Sequence, residues 1–126
     1  MYNKIKEILK DVRLLIVEDN DEQRATLRDL VEKYVKQIFE CSNAKDALVC
    51  FKQNDINLIL SDIDMPRMSG LEMASLIRQD DKNVPIIFLT DCDSDENVFE
   101  AIELGGFGVL KKPFEKRELV IMMSFA

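Results

Sequence analysis

Five short, strand-length runs alternate with segments of helical periodicity along the 126 residues. The runs cover residues 13–17, 37–41, 56–61, 85–90 and 107–110. Several are apolar at nearly every position, as expected of strands that are buried on both faces of a sheet. Alternating strands and helices are typical of a parallel sheet covered by helices on both faces. The chain is long enough for one such domain and too short for two.

The segments between the runs have the apolar spacing of amphipathic helices. They are predicted over residues 21–36, 43–53, 71–80 and 94–104, with a last short helix from about residue 115. Residues 1–11 form a separate amphipathic pattern, with Ile5, Ile8 and Leu9 on one stripe. We therefore divide the chain into an N-terminal helical extension, 1–11, expected to pack on the domain edge, and a domain, 12–126. The short last helix favours a domain cut from a longer protein.

The composition narrows the range of functions. A net charge of −7 argues against direct nucleic-acid binding by this chain. The sequence has neither an apolar run of membrane length nor a signal peptide. Cys41, Cys50 and Cys92 lack Cys-x-x-Cys spacing, which suits reduced thiols in a cytoplasm. The chain contains no His, which removes the commonest general base, the commonest metal ligand and any phosphohistidine of its own.

Asp62 directly follows the central apolar run, and Pro66 and Gly70 shape the loop after it. In open α/β sheets, ligands bind at the carboxyl ends of strands. A lone Asp at such a position is more often a solvated turn residue than a functional one. A functional interpretation therefore requires further chemistry at the same edge of the sheet.

Three other runs also end in polar groups. Glu18 and Asp19 follow the first run, Thr90 ends the fourth, and Lys112 follows the fifth. Clustered carboxylates repel one another unless a cation lies among them, and oxygen ligands without His or Cys favour Mg²⁺ over Zn²⁺. Asp62 can then act as a nucleophile toward phosphorus, while Lys112 and Thr90 bind phosphoryl oxygens.

The sequence resembles the receiver domains of two-component response regulators over residues 12–125. The matching motifs are Val17–Asn20, Asp62–Gly70, Phe88–Thr90 and Leu110–Phe114. The resemblance implies a flavodoxin-like, doubly wound α/β fold with five parallel strands in the order 2-1-3-4-5. It also implies a cytoplasmic signalling protein that catalyses only its own phosphorylation and dephosphorylation.

The same resemblance implies a role for each matching residue. Asp62 would be the phosphoacceptor and, with Asp19, a direct ligand of Mg²⁺ or Mn²⁺. The backbone carbonyl of Asp64 would complete the protein ligands, and Glu18 would hold the metal through water. Thr90 and Lys112 would bind the phosphoryl group and relay its arrival.

The implied partner is a sensor histidine kinase or a phosphotransfer protein, which would donate the phosphoryl group. No membrane contact is implied. A homodimer through the face of the last two helices is left open.

The sequence departs from the usual pattern of this family near the acceptor. Asp91 stands where the family mostly has a small residue, and it adds negative charge at the mouth of the site. Asp64 and Cys92 occupy positions expected to tune the reaction. Val109 stands where a switch Tyr or Phe is frequent, and Phe107 lies two residues earlier. The usual aromatic rotamer change is therefore in question.

Two alternatives remain at this point. A haloacid-dehalogenase-like phosphatase also uses Asp-x-Asp, Thr and Lys with Mg²⁺, which Asp62, Asp64, Thr90 and Lys112 superficially match. In that family, however, the first Asp lies on the first strand, and Pro66 stands where its motif has Thr or Val. The second alternative is a degenerate receiver that serves only in protein interaction. The presence of the acceptor, the acidic pair, the threonine and the lysine argues against it.

Overall fold

The computed structural model describes residues 2–92 and 94–126, and its centre is one parallel sheet. The strands are β1 (Arg13–Val17), β2 (Gln37–Cys41), β3 (Leu58–Asp62), β4 (Ile86–Thr90) and β5 (Gly108–Lys111). Their order is β2-β1-β3-β4-β5, and every neighbouring pair is parallel. This is the flavodoxin-like order that the sequence resemblance implied.

Six helices surround the sheet in the described part of the chain. They are α1 (Tyr2–Leu9), α2 (Asp21–Val31), α3 (Ala44–Gln53), α4 (Gly70–Asp80), α5 (Asp95–Glu103) and α6 (Lys116–Phe125). The side chains of Asn20, Asn43, Ser69 and Ser94 each accept a hydrogen bond from the first turn of the helix that follows. Such caps satisfy amide groups that the helix itself leaves unpaired, and they fix where each helix begins.

Side chains of the strands alternate between two cores, one on each face of the sheet. Leu15 and Val17 lie in a core with the buried faces of α3, α4 and α5. Leu14 and Ile16 lie in a second core with α1, α2 and α6. Strands β3 and β4 are buried at all five positions, including the polar residues Ser61, Asp62 and Thr90 at their ends.

Helix α1 packs against α6. Ile5 and Leu9 are buried in the second core, which also contains Val120 and Met123. Ile8, which the sequence pattern placed on the same stripe, is half exposed. The buried stripe of α1 is therefore narrower than its apolar spacing suggested.

Some predicted boundaries were wrong. The helix predicted to reach residue 36 ends at Val31, because the chain turns through residues 32–36 and buries Tyr34 under the second core. The central strand begins at Leu58 rather than residue 56, and Asp62 is its last residue instead of the first residue of a loop.

None of the helices in residues 2–92 and 94–126 has the length and apolar character needed to cross a bilayer.

Candidate functional site

The carboxyl ends of four strands meet at one edge of the sheet. Parallel pairing places Val17 beside Ser61, Asp62 beside Leu89, and Thr90 beside Lys111. In this register neighbouring strands end within one residue of each other, so the polar groups at and just after their ends converge. Of the four strands that end here, β3 provides Asp62 itself.

Three carboxylates lie together at this edge. One ligand oxygen from each of Glu18, Asp19 and Asp62 falls within 4.8 Å of the others. Glu18 and Asp62 are buried, whereas Asp19 is exposed. Burial, followed by the charge of Glu18, raises the pKa of Asp62 to about 7. Burial and the neighbouring Glu18 also raise the pKa of Asp19. Burial and the neighbouring carboxylates therefore disfavour the charged forms of Asp19 and Asp62.

Lys112 is the cation that compensates part of this charge. Its Nζ donates hydrogen bonds of 2.7 Å to Glu18 Oε1 and 2.7 Å to Gln23 Oε1, and it lies 3.5 Å from Asp62 Oδ2. Burial works to raise the pKa of Glu18, but the bond and charge of Lys112 outweigh burial and lower it. Gln23, in the first turn of α2, is a site residue that the sequence analysis missed.

The second carboxylate oxygen of Asp62 stands apart from this network. Asp62 Oδ1 is fully buried and has no hydrogen-bond partner among the described residues. A buried acceptor without a partner is costly in a folded protein and usually indicates a ligand, an ion or a catalytic role. The orphaned atom belongs to the residue that the sequence analysis selected as the acceptor.

Thr90 is buried at the end of β4, and its hydroxyl is bonded to the backbone of Cys92. Thr90 Oγ1 donates to the carbonyl oxygen of Cys92 at 2.9 Å and accepts from the Cys92 N–H at 3.1 Å. Its contact to Asp64 Oδ2 is longer, at 3.4 Å. Cys92, which the sequence analysis named as a tuning position, thus holds the threonine through its backbone.

The loop after Asp62 is fixed by Gly70. The Gly70 N–H donates to the carbonyl oxygen of Ile63, and a Cβ atom at Gly70 would collide with the carbonyl oxygen of Asp62. Ser69 and Glu72 form a reciprocal capping box at the start of α4. Only glycine permits this close approach, so Gly70 lets the start of α4 pack directly against the backbone of Asp62.

The remaining tuning positions differ in their surroundings. Asp91 is exposed and lines a surface groove that Gln23 and Lys112 also line. Val109 is half buried against the core formed with α3, α4 and α5, while Phe107 is exposed. Asp91 is therefore near the site, and the position expected to hold an aromatic switch holds a packed aliphatic side chain.

The donor set fits a hard divalent cation. Carboxylates from β3 and from the turn after β1 supply oxygen ligands only, which Mg²⁺ prefers. The unpartnered oxygen of Asp62 is available, and exposed Asp19 leaves room for water on the metal. Both oxygens of Glu18 are already used, Oε1 by Lys112 and Oε2 by the Asn20 N–H.

Sequence comparison identifies the family of this site. Residues 14–124 match the response regulator receiver domain family. The chain is 33% identical over 115 residues to "Two-component response regulator-like PRR73" of Oryza sativa, covering 88% of this chain and 15% of that protein. It is 35% identical over 111 residues to "Transcriptional regulatory protein SrrA" of Staphylococcus aureus, covering 88% of this chain and 46% of that protein. The chain thus spans less than half the length of these curated relatives.

Solved structures give the same result. The Vibrio cholerae chemotaxis protein CheY4 superposes with a TM-score of 0.86 at 26% identity, covering 91% of this chain and 98% of that one. The receiver domain of the Francisella response regulator 1452 superposes with a TM-score of 0.83 at 26% identity, covering 91% and 95%. The chain belongs to the response regulator receiver domain family.

Proposed function

We propose that the chain accepts a phosphoryl group on Asp62 and, in response, changes a surface that a partner or an output domain recognises. The observation that supports this most directly is the state of Asp62. Its carboxylate is buried between Glu18 and Lys112, and one oxygen has no partner in the described part of the chain. Family membership supports the same role.

The donor is a phosphohistidine that lies outside these 126 residues, because they contain no His. A carboxylate oxygen of Asp62 forms the new bond to phosphorus as the P–N bond of the donor breaks. The electron pair of that bond leaves with the imidazole nitrogen. With a small acyl phosphate such as acetyl phosphate, the P–O bond breaks and acetate leaves instead.

The site residues divide this work. Asp19, Asp62 and the backbone carbonyl of Asp64 would hold Mg²⁺ (or Mn²⁺), with Glu18 acting through water, as the hydrogen bonds that both its oxygens already accept favour. The ion supplies positive charge for the phosphoryl oxygens when bound. Lys112 would neutralise a phosphoryl oxygen, and the Thr90 hydroxyl would bond another after exchanging its contact with Cys92.

The response to phosphorylation would depend on Thr90 and Lys112 without an aromatic rotamer change. Val109, at the position in question, packs on the core and is not an aromatic side chain. Movement of Thr90 would release the backbone of Cys92, which it now holds from both sides. Asp91 and Cys92 would therefore be the first residues to respond.

A sensor histidine kinase or phosphotransfer protein in the cytoplasm would be the partner. The exposed apolar side chains on and near α5 and α6 also favour a homodimer through that face. They are Phe99, Ile102, Phe107 and Phe125.

Labelling with acetyl phosphate tests the assignment of Asp62. The parent should gain one phosphoryl group by intact-mass spectrometry when Mg²⁺ is present and lose that labelling when EDTA is added. Asp62→Asn should abolish labelling, because the amide is a poor nucleophile. The matched control is Asp80→Asn, which removes an exposed carboxylate at the end of α4 and should label like the parent.

Phosphate on the Asp62→Asn variant would contradict the assignment. A haloacid-dehalogenase-like phosphatase would instead turn over phosphate esters without a stable phosphoprotein. The structure disfavours that alternative because Asp62 ends the third strand, β3.

A further inference from the structure

Gln23 contacts the lysine of the site directly. Its Oε1 accepts a 2.7 Å hydrogen bond from Lys112 Nζ, as short as the bond from Lys112 to Glu18. Asp62 Oδ2 is farther from the same nitrogen, at 3.5 Å. Lys112 is therefore held by Glu18 and Gln23 rather than by the acceptor.

An ammonium group has three N–H donors. Two are committed to Glu18 and Gln23 at short distance. The third N–H remains for a phosphoryl oxygen on Asp62, but the two short bonds hold Nζ 3.5 Å from Asp62 Oδ2, so moving Lys112 closer to Asp62 lengthens at least one of them.

The two present partners differ in what their loss would cost. Glu18 is charged and 1% exposed, so without Lys112 it would be left as a buried carboxylate with less compensation. Gln23 is neutral and lies on the exposed side of α2, where water can replace the lysine as its partner. Gln23 is thus the partner that Lys112 gives up at lower cost.

We propose that Gln23 is a positioning residue that restrains Lys112 in the unphosphorylated protein and thereby slows phosphoryl uptake at Asp62. The inference rests on the proposed function. A bond that is present before the reaction and lost during it stabilises the starting state only, and so raises the barrier.

Two substitutions should change the labelling rate in opposite directions. Gln23→Leu removes the acceptor with little change in size, and labelling by acetyl phosphate should become roughly fivefold faster, as expected for loss of one hydrogen bond. Gln23→Glu gives Lys112 a charged partner, and labelling should become slower than in the parent. Gln23 is exposed, so neither change threatens the fold, and far-UV circular dichroism checks this.

Thr26 provides matched controls one turn farther along α2. It lines the same groove, and its hydroxyl bonds the carbonyl oxygen of Glu22 rather than Lys112. Thr26→Val should label like the parent. Thr26→Glu adds the same charge as Gln23→Glu without the contact, so it measures simple repulsion of the anionic donor.

A readout that needs no phosphorylation separates this inference from the proposed function. The ¹⁵N-edited NMR signal of the Lys112 ammonium group should shift in Gln23→Leu and stay unchanged in Thr26→Val. Equal labelling rates for Gln23→Leu and the parent, or an unchanged Lys112 signal, would overturn the inference. An unlabelled parent with a shifted Lys112 signal would overturn the proposed function and leave the restraint on Lys112 standing.

Discussion

Asp91 adds a further charged side chain to the rim of a site that already contains Glu18, Asp62 and Lys112. It is exposed and lines the groove above Lys112. Burial lowers the pKa of Lys112, but the bond to Glu18 and the surrounding carboxylates, Asp91 among them, raise it. The negative charge of Asp91 therefore acts on Lys112 inside the site. We expect the same charge to repel an incoming anionic phosphoryl donor.

We expect Asp91→Ala to speed labelling by acetyl phosphate several-fold at low ionic strength. Repulsion across a few ångströms at a partly exposed site is worth about 1 kcal/mol, and salt screens it. Labelling rates at low and high salt measure the effect, with Asp80→Ala as the control for a distant lost charge. Equal labelling rates for Asp91→Ala and the parent at both salt concentrations would show that Asp91 does not repel the donor.

The sequence predicts candidate site residues at the ends of strands, but it does not predict Gln23. Asp62, Thr90 and Lys112 are recognisable because each lies at or just after the end of an apolar run. Gln23 meets Lys112 across 89 residues. That contact depends on how the first turn of α2 lies over the end of β5, which no local pattern encodes.

Helix α1 contributes to the core through one side and leaves the other in solvent. Leu9 is 1% exposed among residues of the second core, whereas its neighbour Ile8 is 50% exposed. The two residues have equal size and opposite environments. They form a natural pair for measuring what the helix adds to stability.

Leu9→Ala should lower the free energy of unfolding by about 2–5 kcal/mol, since it leaves a cavity in a packed core. Ile8→Ala should change it by less than about 0.5 kcal/mol. Urea unfolding of both variants measures the difference. Similar values for the two would show that α1 does not dock as described.

The elements themselves were predictable, and some of their ends were not. Tyr34 and Val35 continue the apolar spacing of α2, so periodicity extended the helix past its end at Val31. In the structure Tyr34 instead enters the second core from a turn, where the ammonium groups of Lys6, Lys33 and Lys116 lie 5.2–6.0 Å from its ring. Apolar spacing cannot distinguish a buried helical residue from a buried turn residue.

The order of the strands in the sheet was not predictable from local patterns, unlike the strands themselves. Alternation of strands and helices predicts a parallel sheet, but it does not choose among the ways of ordering five strands. The order 2-1-3-4-5 came from the resemblance to receiver domains, and the structure confirms it. Local patterns therefore predicted the strands and helices, and the resemblance to receiver domains predicted the order of the strands.

Mg²⁺ should raise the melting temperature of the whole domain. A ligand that binds only the folded state stabilises it by mass action, and the three carboxylates converge only when β1 and β3 are paired. Asp19→Asn should abolish the Mg²⁺-dependent shift, while Asp80→Asn should retain it. Thermal scans with and without Mg²⁺ provide the measurement. A full shift in Asp19→Asn would remove Asp19 from the metal site.

The packing of α1 on α6 makes the first and last helices of the chain neighbours. Because these helices are neighbours, the chain could be circularly permuted. A linker from Ala126 to Tyr2 would join the present ends, and new ends would be made at the exposed residue Lys82. Such a circular permutant would keep β1 with β3 in one stretch and β4 with β5 in the other. Every strand end that builds the acidic edge would remain uncut, so the receiver site is a property of the sheet and not of where its polypeptide starts.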